Sequence, residues 1–137
     1  MSILSALTKH LLDHAGLSAL VGTRIYPDTI PASTSETPNQ LPLIVYKLLD
    51  EPVIPTHDHQ NLYTARVQLD AWGGSYKSKH AVADQIMAAI DGYKGAMGDG
   101  SVYVGGCFRK GKRDNDNENV GLFRVEQIFA INYNEMA

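Results

Sequence analysis

Residues 67–80 read VQLDAWGGSYKSKH. With Ala65, the residues Val67, Leu69 and Ala71 alternate with Arg66, Gln68, Asp70 and Trp72. That period of two turns one face of a strand to a core and the other outward. Gly73-Gly74-Ser75 then breaks the alternation, and Val82, Ile86, Ala89, Ile90 and Tyr93 follow at helical spacing with Ala83 and Met87 beside them. A strand, a glycine turn and a helix N-terminus can cradle a phosphate. The residues such a cradle requires are missing, however. Gly73-Gly74-Ser75-Tyr76-Lys77-Ser78 does not fit a phosphate loop, and two adjacent glycines without a following βαβ unit are not a dinucleotide fingerprint. The segment therefore reads as a tight corner: the glycines let the backbone turn, and Ser75 or Ser78 caps a helix over 75–93.

Outward from this corner, the same periodicities predict the remaining elements. Ile3, Leu4, Leu7, Leu11 and Ala15 place a helix over 3–15, with Ser2 as its cap and Gly16 as its stop, and 17–21 add a short turn. Arg24-Ile25-Tyr26 is a short strand. Leu43-Ile44-Val45-Tyr46 opens another that continues to Pro52, where Pro52 and Pro55 break it. The strand ending at Trp72 begins at Leu62 and is near enough to the previous one to form a hairpin. Val102-Tyr103-Val104 and Leu122–Tyr133 supply two more strands, and RKGKRDNDNENVG between them reads as a long hairpin tip. The expected fold class is α+β: a mainly antiparallel sheet of four to five strands with two helices on one face, in the order α-β-β-β-α-β-β. One domain over 1–137 is expected, with a Pro-rich loop at 27–42 (PDTIPASTSETPNQLP) and a projecting charged hairpin at 105–121.

The bulk composition narrows the function classes. At 137 residues, 44% apolar and 20% charged, the chain is an ordinary globular protein. Its formal charge of −3 leaves no general footprint for nucleic acid or an anionic membrane. No basic stretch precedes the apolar N-terminus as in a signal peptide, and no run approaches the roughly 18 apolar residues of a membrane helix. Cys107 stands alone, which excludes an intrachain disulfide and a thiolate metal cage.

Four constellations could carry chemistry. His57 and His59 flank Asp58 and would point the same way on an extended segment, but no third metal ligand is marked. His10 and His14 share a helix face, yet Leu11 stands where a zincin needs its glutamate. Together these residues define a metal-dependent enzyme as a competing reading, against expectations of no metal and no cofactor. Cys107 has Arg109, Lys110, Lys112 and Arg113 nearby but no local histidine, so it reads as structural or incidental. Finally, Arg109, Lys110, Lys112 and Arg113 are followed at once by Asp114, Asp116 and Glu118. A phosphate-binding patch gains from uncompensated positive charge, so this self-neutralising block argues against nucleic acid. It reads either as a two-signed contact with a neighbouring copy or as a solvated hairpin. Trp72, on the outward side of its strand, is a large aromatic that reads either as an interface centre or as a ring covered by a helix.

In order, the segments LVGTRIYP (20–27), LPLIVY (41–46), VQLDAWG (67–73) and HAVADQI (80–86) running on into Ala88-Ala89-Ile90 span most of the chain. In this order and spacing the chain resembles the tail-completion, or tail-terminator, proteins of long-tailed bacteriophages and prophages. The resemblance implies a non-enzymatic virion protein without catalytic residues, in which copies form a ring, usually sixfold. That ring would sit at the head-proximal end of the tail, end tube polymerisation and join tail to head. It further implies the major tail-tube protein and the head–tail connector or head-completion protein as partners, no membrane, and no sequence-specific nucleic acid, with genome DNA passing through the lumen. Assembly would take place in the host cytoplasm. Another neck, head-closure or minor tail protein on a similar scaffold is the alternative.

Overall fold

A computed structural model describes residues 2–28, 41–55, 61–116 and 122–135. The elements are α1 (Ile3–Asp13), α2 (Ala15–Val21), β1 (Ile25–Pro27), β2 (Leu43–Asp50), β3 (Val53–Pro55), β4 (Asn61–Gly73), α3 (Tyr76–Ile90), β5 (Gly95–Met97), β6 (Val102–Asp114) and β7 (Phe123–Glu135). The strands form one sheet in the order β1-β2-β4-β7-β6-β5, and β3 pairs with β4 beside that path.

The expected antiparallel sheet of four to five strands with two helices is overturned. Among the described residues there are seven strands and three helices. The sheet is mixed, because β1 lies parallel to β2, and it curls into a half-barrel. Each departure has a local cause. His14 leaves the helical region at φ −80° and ψ 115°, which divides the N-terminal helical stretch into α1 and α2. β3 is three residues long and ends in Pro55, which pairs only with β4 and so needs no second ladder donor. β5 is equally short and starts at Gly95, whose positive φ of 131° masks any strand pattern. β6 continues through Arg109–Arg113, because β7 pairs with it from Val102↔Glu135 to Asp114↔Val125 across two bulges. Those bulges and the charges hide the alternation a strand otherwise shows.

One face of the sheet carries the core. Ala65, Val67, Leu69 and Ala71 of β4 and Val125, Phe129 and Ile131 of β7 are fully buried there. Against them pack Ile3, Ala6, Leu7 and Leu11 of α1, Leu17 and Val21 of α2, and Val82, Ala83, Ile86 and Ile90 of α3. Full burial of each large aliphatic side chain is worth about 1.5–3 kcal/mol relative to exposure, as an upper estimate. Ser2 and Ser75 cap their helices, accepting from the Ser5 and Ser78 amides at 3.1 Å each.

The Gly73 corner is a packing corner. A β-carbon at Gly73 would lie 2.6 Å from the Lys79 amide nitrogen and 3.0 Å from the Ser78 carbonyl carbon. Only a glycine lets the end of β4 run this close to the first turn of α3.

Candidate interaction surface

The second face of the sheet bears no helix among the described residues, and side chains cross it in rows set by strand register. Leu43, Trp72 and Arg124 form one row; Val45, Asp70, Glu126 and Arg113 form the next. Lys47, Gln68, Ile128 and Gly111 follow, and farther along Arg66, Ala130 and Phe108 align. This alternation places the outward side of β4, Trp72 included, in line with residues of β2, β6 and β7.

The Trp72 end of this face is polar and internally paired. The Arg124 guanidinium lies over the Trp72 ring at 4.8 Å from its centroid and donates to Glu126 Oε1 at 2.8 Å. Arg113 donates to Glu126 Oε2, with its Nε at 2.9 Å, and Asn115 donates to Oε1 at 3.2 Å. Burial opposes charge on Glu126, but the bonds from Arg113 and Asn115 and the nearby guanidinium charges outweigh it and hold its carboxyl below the usual range. Asp70, one strand over, is met among the described residues by the Gln68 amide at 2.9 Å and by a loose Arg124 contact at 3.9 Å. There desolvation wins and pushes the Asp70 carboxyl up. The residues between β2 and Asn115 line a cleft of about 500 Å³. Within it the Trp72 Nε1 and Arg124 Nε donors are buried with no acceptor among the described residues.

The opposite end of the same face is apolar and open. Phe108, Leu62 and Tyr103 are 50%, 47% and 43% exposed. Leu62 and Tyr103 line a cleft of about 420 Å³ together with Thr64, Gly105, Asn132 and Asn134, and at its border Tyr63 and Tyr133, whose rings belong to the core face, stack at 5.3 Å.

The charged block separates into two groups. Lys110 and Lys112 are exposed and make no ion pair among the described residues. Arg109 is exposed; its amide donates to Asp91 Oδ1 at 3.1 Å and its guanidinium reaches Gln127 Oε1 at 3.4 Å. Arg113 is committed to Glu126. Asp114 and Asp116 are taken up by a residue the sequence reading overlooked, Lys79 of α3. Its side chain is fully buried, and its ammonium donates to Asp114 Oδ1 at 3.0 Å and Asp116 Oδ1 at 2.7 Å. Burial works against the Lys79 charge, but the two carboxylates more than offset it and raise its pKa. The same contact is the first cause holding the Asp116 carboxyl low. The signal was present in the sequence: Lys79 falls at helical spacing with Val82, Ala83 and Ile86, and a lysine inside an apolar stripe requires counter-charges. Glu118, residues 29–40 of the Pro-rich loop and His57-Asp58-His59 lie outside the described residues.

His10 and His14 bind helices to one another, whereas His80 lies against Tyr76 of its own helix with Nε2 3.7 Å from Asp114 Oδ1. His10 Nε2 is 2.8 Å from the Ala89 carbonyl, with its ring against Tyr93, and His14 Nε2 is 3.3 Å from Gln85 Oε1. No cluster of three His, Cys, Asp or Glu side chains placed to hold a metal occurs among the described residues. Cys107 is buried, and desolvation pushes its thiol up to about 12, far from thiolate reactivity. No helix among the described residues is long and apolar enough to cross a membrane.

Comparison with known proteins adds the family. No curated protein matches the chain significantly. Among solved structures, a chain from the virion of a native gene transfer agent particle superposes with a TM-score of 0.72 at 17% identity, covering 97% of this chain and 95% of that one. That likeness concerns the fold. A family model described as tail completion protein gp17 matches residues 5–134. By that match over nearly its whole length, the chain belongs to the tail completion protein gp17 family and is a structural protein of a phage-type tail.

Proposed function

We propose that the chain is a single-domain tail terminator: copies assemble into a ring, with six the expected number, at the head-proximal end of the tail tube. There the ring stops addition of further tube subunits and offers its other side to the head connector. Its direct partners are then other copies of itself, the tube protein and the connector, and the genome passes through its lumen. Assembly takes place in the host cytoplasm before the tail joins the head. The protein makes and breaks no covalent bonds.

Family membership supports this reading, and one observation carries it to the level of residues. The subunit has unlike surfaces left to partners: the basic edge of β6 at Lys110 and Lys112, the outer edge of β2 over 47–50, and the open aromatic end of the helix-free face at Phe108, Tyr103 and Leu62. A head-to-tail contact between identical subunits needs two different patches on one chain, and it closes into a ring when its rotation permits. Arg109, Arg113, Trp72, Asp114, Asp116 and Glu118 complete the proposed contact region. Of these, Arg113, Asp114 and Asp116 also hold the subunit together through Glu126 and Lys79.

The test is the oligomeric state with and without the tube subunit, read by negative-stain images and light scattering, together with tail length in particles lacking the protein. Rings formed on tube ends, and overlong headless tails without the protein, are expected. Monomers under both conditions, with tails of normal length in its absence, would refute the proposal.

A further inference from the structure

We infer that neighbouring copies join by main-chain pairing, with the outer edge of β6 in one copy adding to the outer edge of β2 in the next. The inference rests on the ring reading and supplies its mode of contact. Among the described residues, two stretches of strand edge have no strand beside them, and they lie diagonally across the sheet.

β6 pairs with β7 along its length, but β5 covers its other side only over Val102–Val104. Two further bonds occupy that side: the Gly92 amide donates to the Cys107 carbonyl at 2.7 Å, and the Arg109 amide donates to Asp91 at 3.1 Å. From Lys110 to Asp114 no described strand pairs with the outer edge. On β2, β1 covers Ile44–Tyr46, and the Asp28 amide closes that ladder on the Tyr46 carbonyl. From Lys47 to Asp50 β4 pairs with its inner side, and no described strand pairs with its outer edge.

Three features make these edges partners. First, Lys47 and Gly111 stand in one row of the sheet, and the two open stretches run away from that row in opposite directions. Copies joined through them must step along the strands, and that stagger is what closing a sheet into a barrel requires. Second, β2 and β6 run in opposite directions, so copies that share one sense around a ring meet as an antiparallel pair, the stronger arrangement. Third, Lys110 and Lys112 make the β6 edge basic, and lysines on an open edge deter indiscriminate pairing. The β2 edge carries Lys47 at one end and half-exposed Asp50 at the other; Asp50 pairs with Arg66 at 3.1 Å within the subunit and is the one acidic group of that stretch which Lys110 or Lys112 would share in the joint. Gly111 fits the same picture. A β-carbon there would meet nothing within 4 Å, so internal packing leaves room for a side chain where a second backbone would approach.

The experiment is thiol cross-linking of assembled rings with a short bifunctional maleimide, using Leu49→Cys, Lys112→Cys and the double variant. Leu49 is 39% exposed, and the native Cys107 is fully buried. The double variant is expected to give 49-to-112 cross-links in a ladder up to the closed ring, roughly tenfold or more over either single variant, since paired strands hold the thiols at high effective concentration. Amides of 110–114 should also exchange more slowly in rings than in free subunits. Rings that form without 49-to-112 cross-links, or a Lys112→Cys variant that links to itself, would overturn strand addition and leave the ring standing. Absence of rings in the presence of the tube subunit would remove the ring reading itself.

Discussion

Lys79 shows most sharply how one residue shapes the subunit. It brings a charge into the apolar stripe of α3 and is matched by Asp114 and Asp116 at the end of β6. Removing one side of a buried pair costs far more than removing both, because it strands a desolvated charge. Asp114→Asn/Asp116→Asn is therefore expected to lower the thermal midpoint by several degrees. Lys79→Met leaves only partly solvated carboxylates behind, so its stability should lie within about 1 kcal/mol of the parent or above it. Calorimetry on the two variants decides the point, and equal losses would contradict it. Asp70 gives the opposite sign. Its folded pKa is raised by burial, so the folded state resists ionisation that the unfolded chain accepts as pH rises past the ordinary 3.8. Asp70→Asn should thus be more stable than the parent at neutral pH, and the gap should close as pH falls towards 3.8. Glu126 runs the other way, with its folded pKa depressed. Its contribution is present above the ordinary 4.5 and is lost as pH falls through the lower folded value. In Glu126→Gln that acid-side loss should shrink, at the expense of stability at neutral pH. Chemical denaturation across pH would follow both effects.

At the level of elements, legibility tracked how each strand buries itself. β4 and α3 could be read because each buries one clean face, with Val67, Leu69 and Ala71 alternating and Val82, Ile86 and Ile90 at helical spacing. β6 could be read only at its start, Val102-Tyr103-Val104, because two bulges then shift its alternation and its last residues face solvent or Lys79. β3 and β5 are three residues each, too short for periodicity to register; β1 is equally short and legible as a strand at Ile25-Tyr26, but nothing local in Ile25-Tyr26-Pro27 announces a parallel partner. The helix-free face was legible only in part. Trp72 and the basic residues stand out by type, but their neighbours Asp70, Arg124 and Glu126 are assembled by register across three strands. A pair of glycine variants tests the packing argument for the strand-to-helix corner. Gly73→Ala places its methyl 2.6 Å from a backbone nitrogen and should cost about 1–3 kcal/mol, the usual penalty of overpacking. Gly111→Ala meets open space and should change stability by less than about 0.5 kcal/mol. Urea midpoints that fail to separate the two would show that the corner relaxes.

For the whole molecule, the central question is whether charge at the β6 edge serves folding or assembly, and the ion pairs divide it cleanly. Reversing Arg113 would set a carboxylate against Glu126, which already lies beside Asp70 across the sheet, so a folding defect would follow and would obscure any effect on assembly. Reversing Arg109 disturbs its contact with Gln127. Lys110 and Lys112 carry no such obligation among the described residues, so Lys110→Glu/Lys112→Glu isolates the outward role. The double variant should keep the parent's thermal midpoint within about 0.5 kcal/mol of stability, as exposed substitutions usually do. It should nonetheless lose rings and fail to restore normal tail length in particles lacking the parent protein. Exposed charges are screened beyond about 8 Å at physiological ionic strength. Parental rings should accordingly weaken as salt rises, and the variant's defect relative to the parent should narrow. Neutral Lys110→Gln/Lys112→Gln should fall between parent and reversal if attraction to Asp50 of the next copy matters, but should match the parent if the lysines only guard against wrong pairing. Normal assembly by the charge-reversed protein would remove this edge from the ring contact, whatever else holds the ring together.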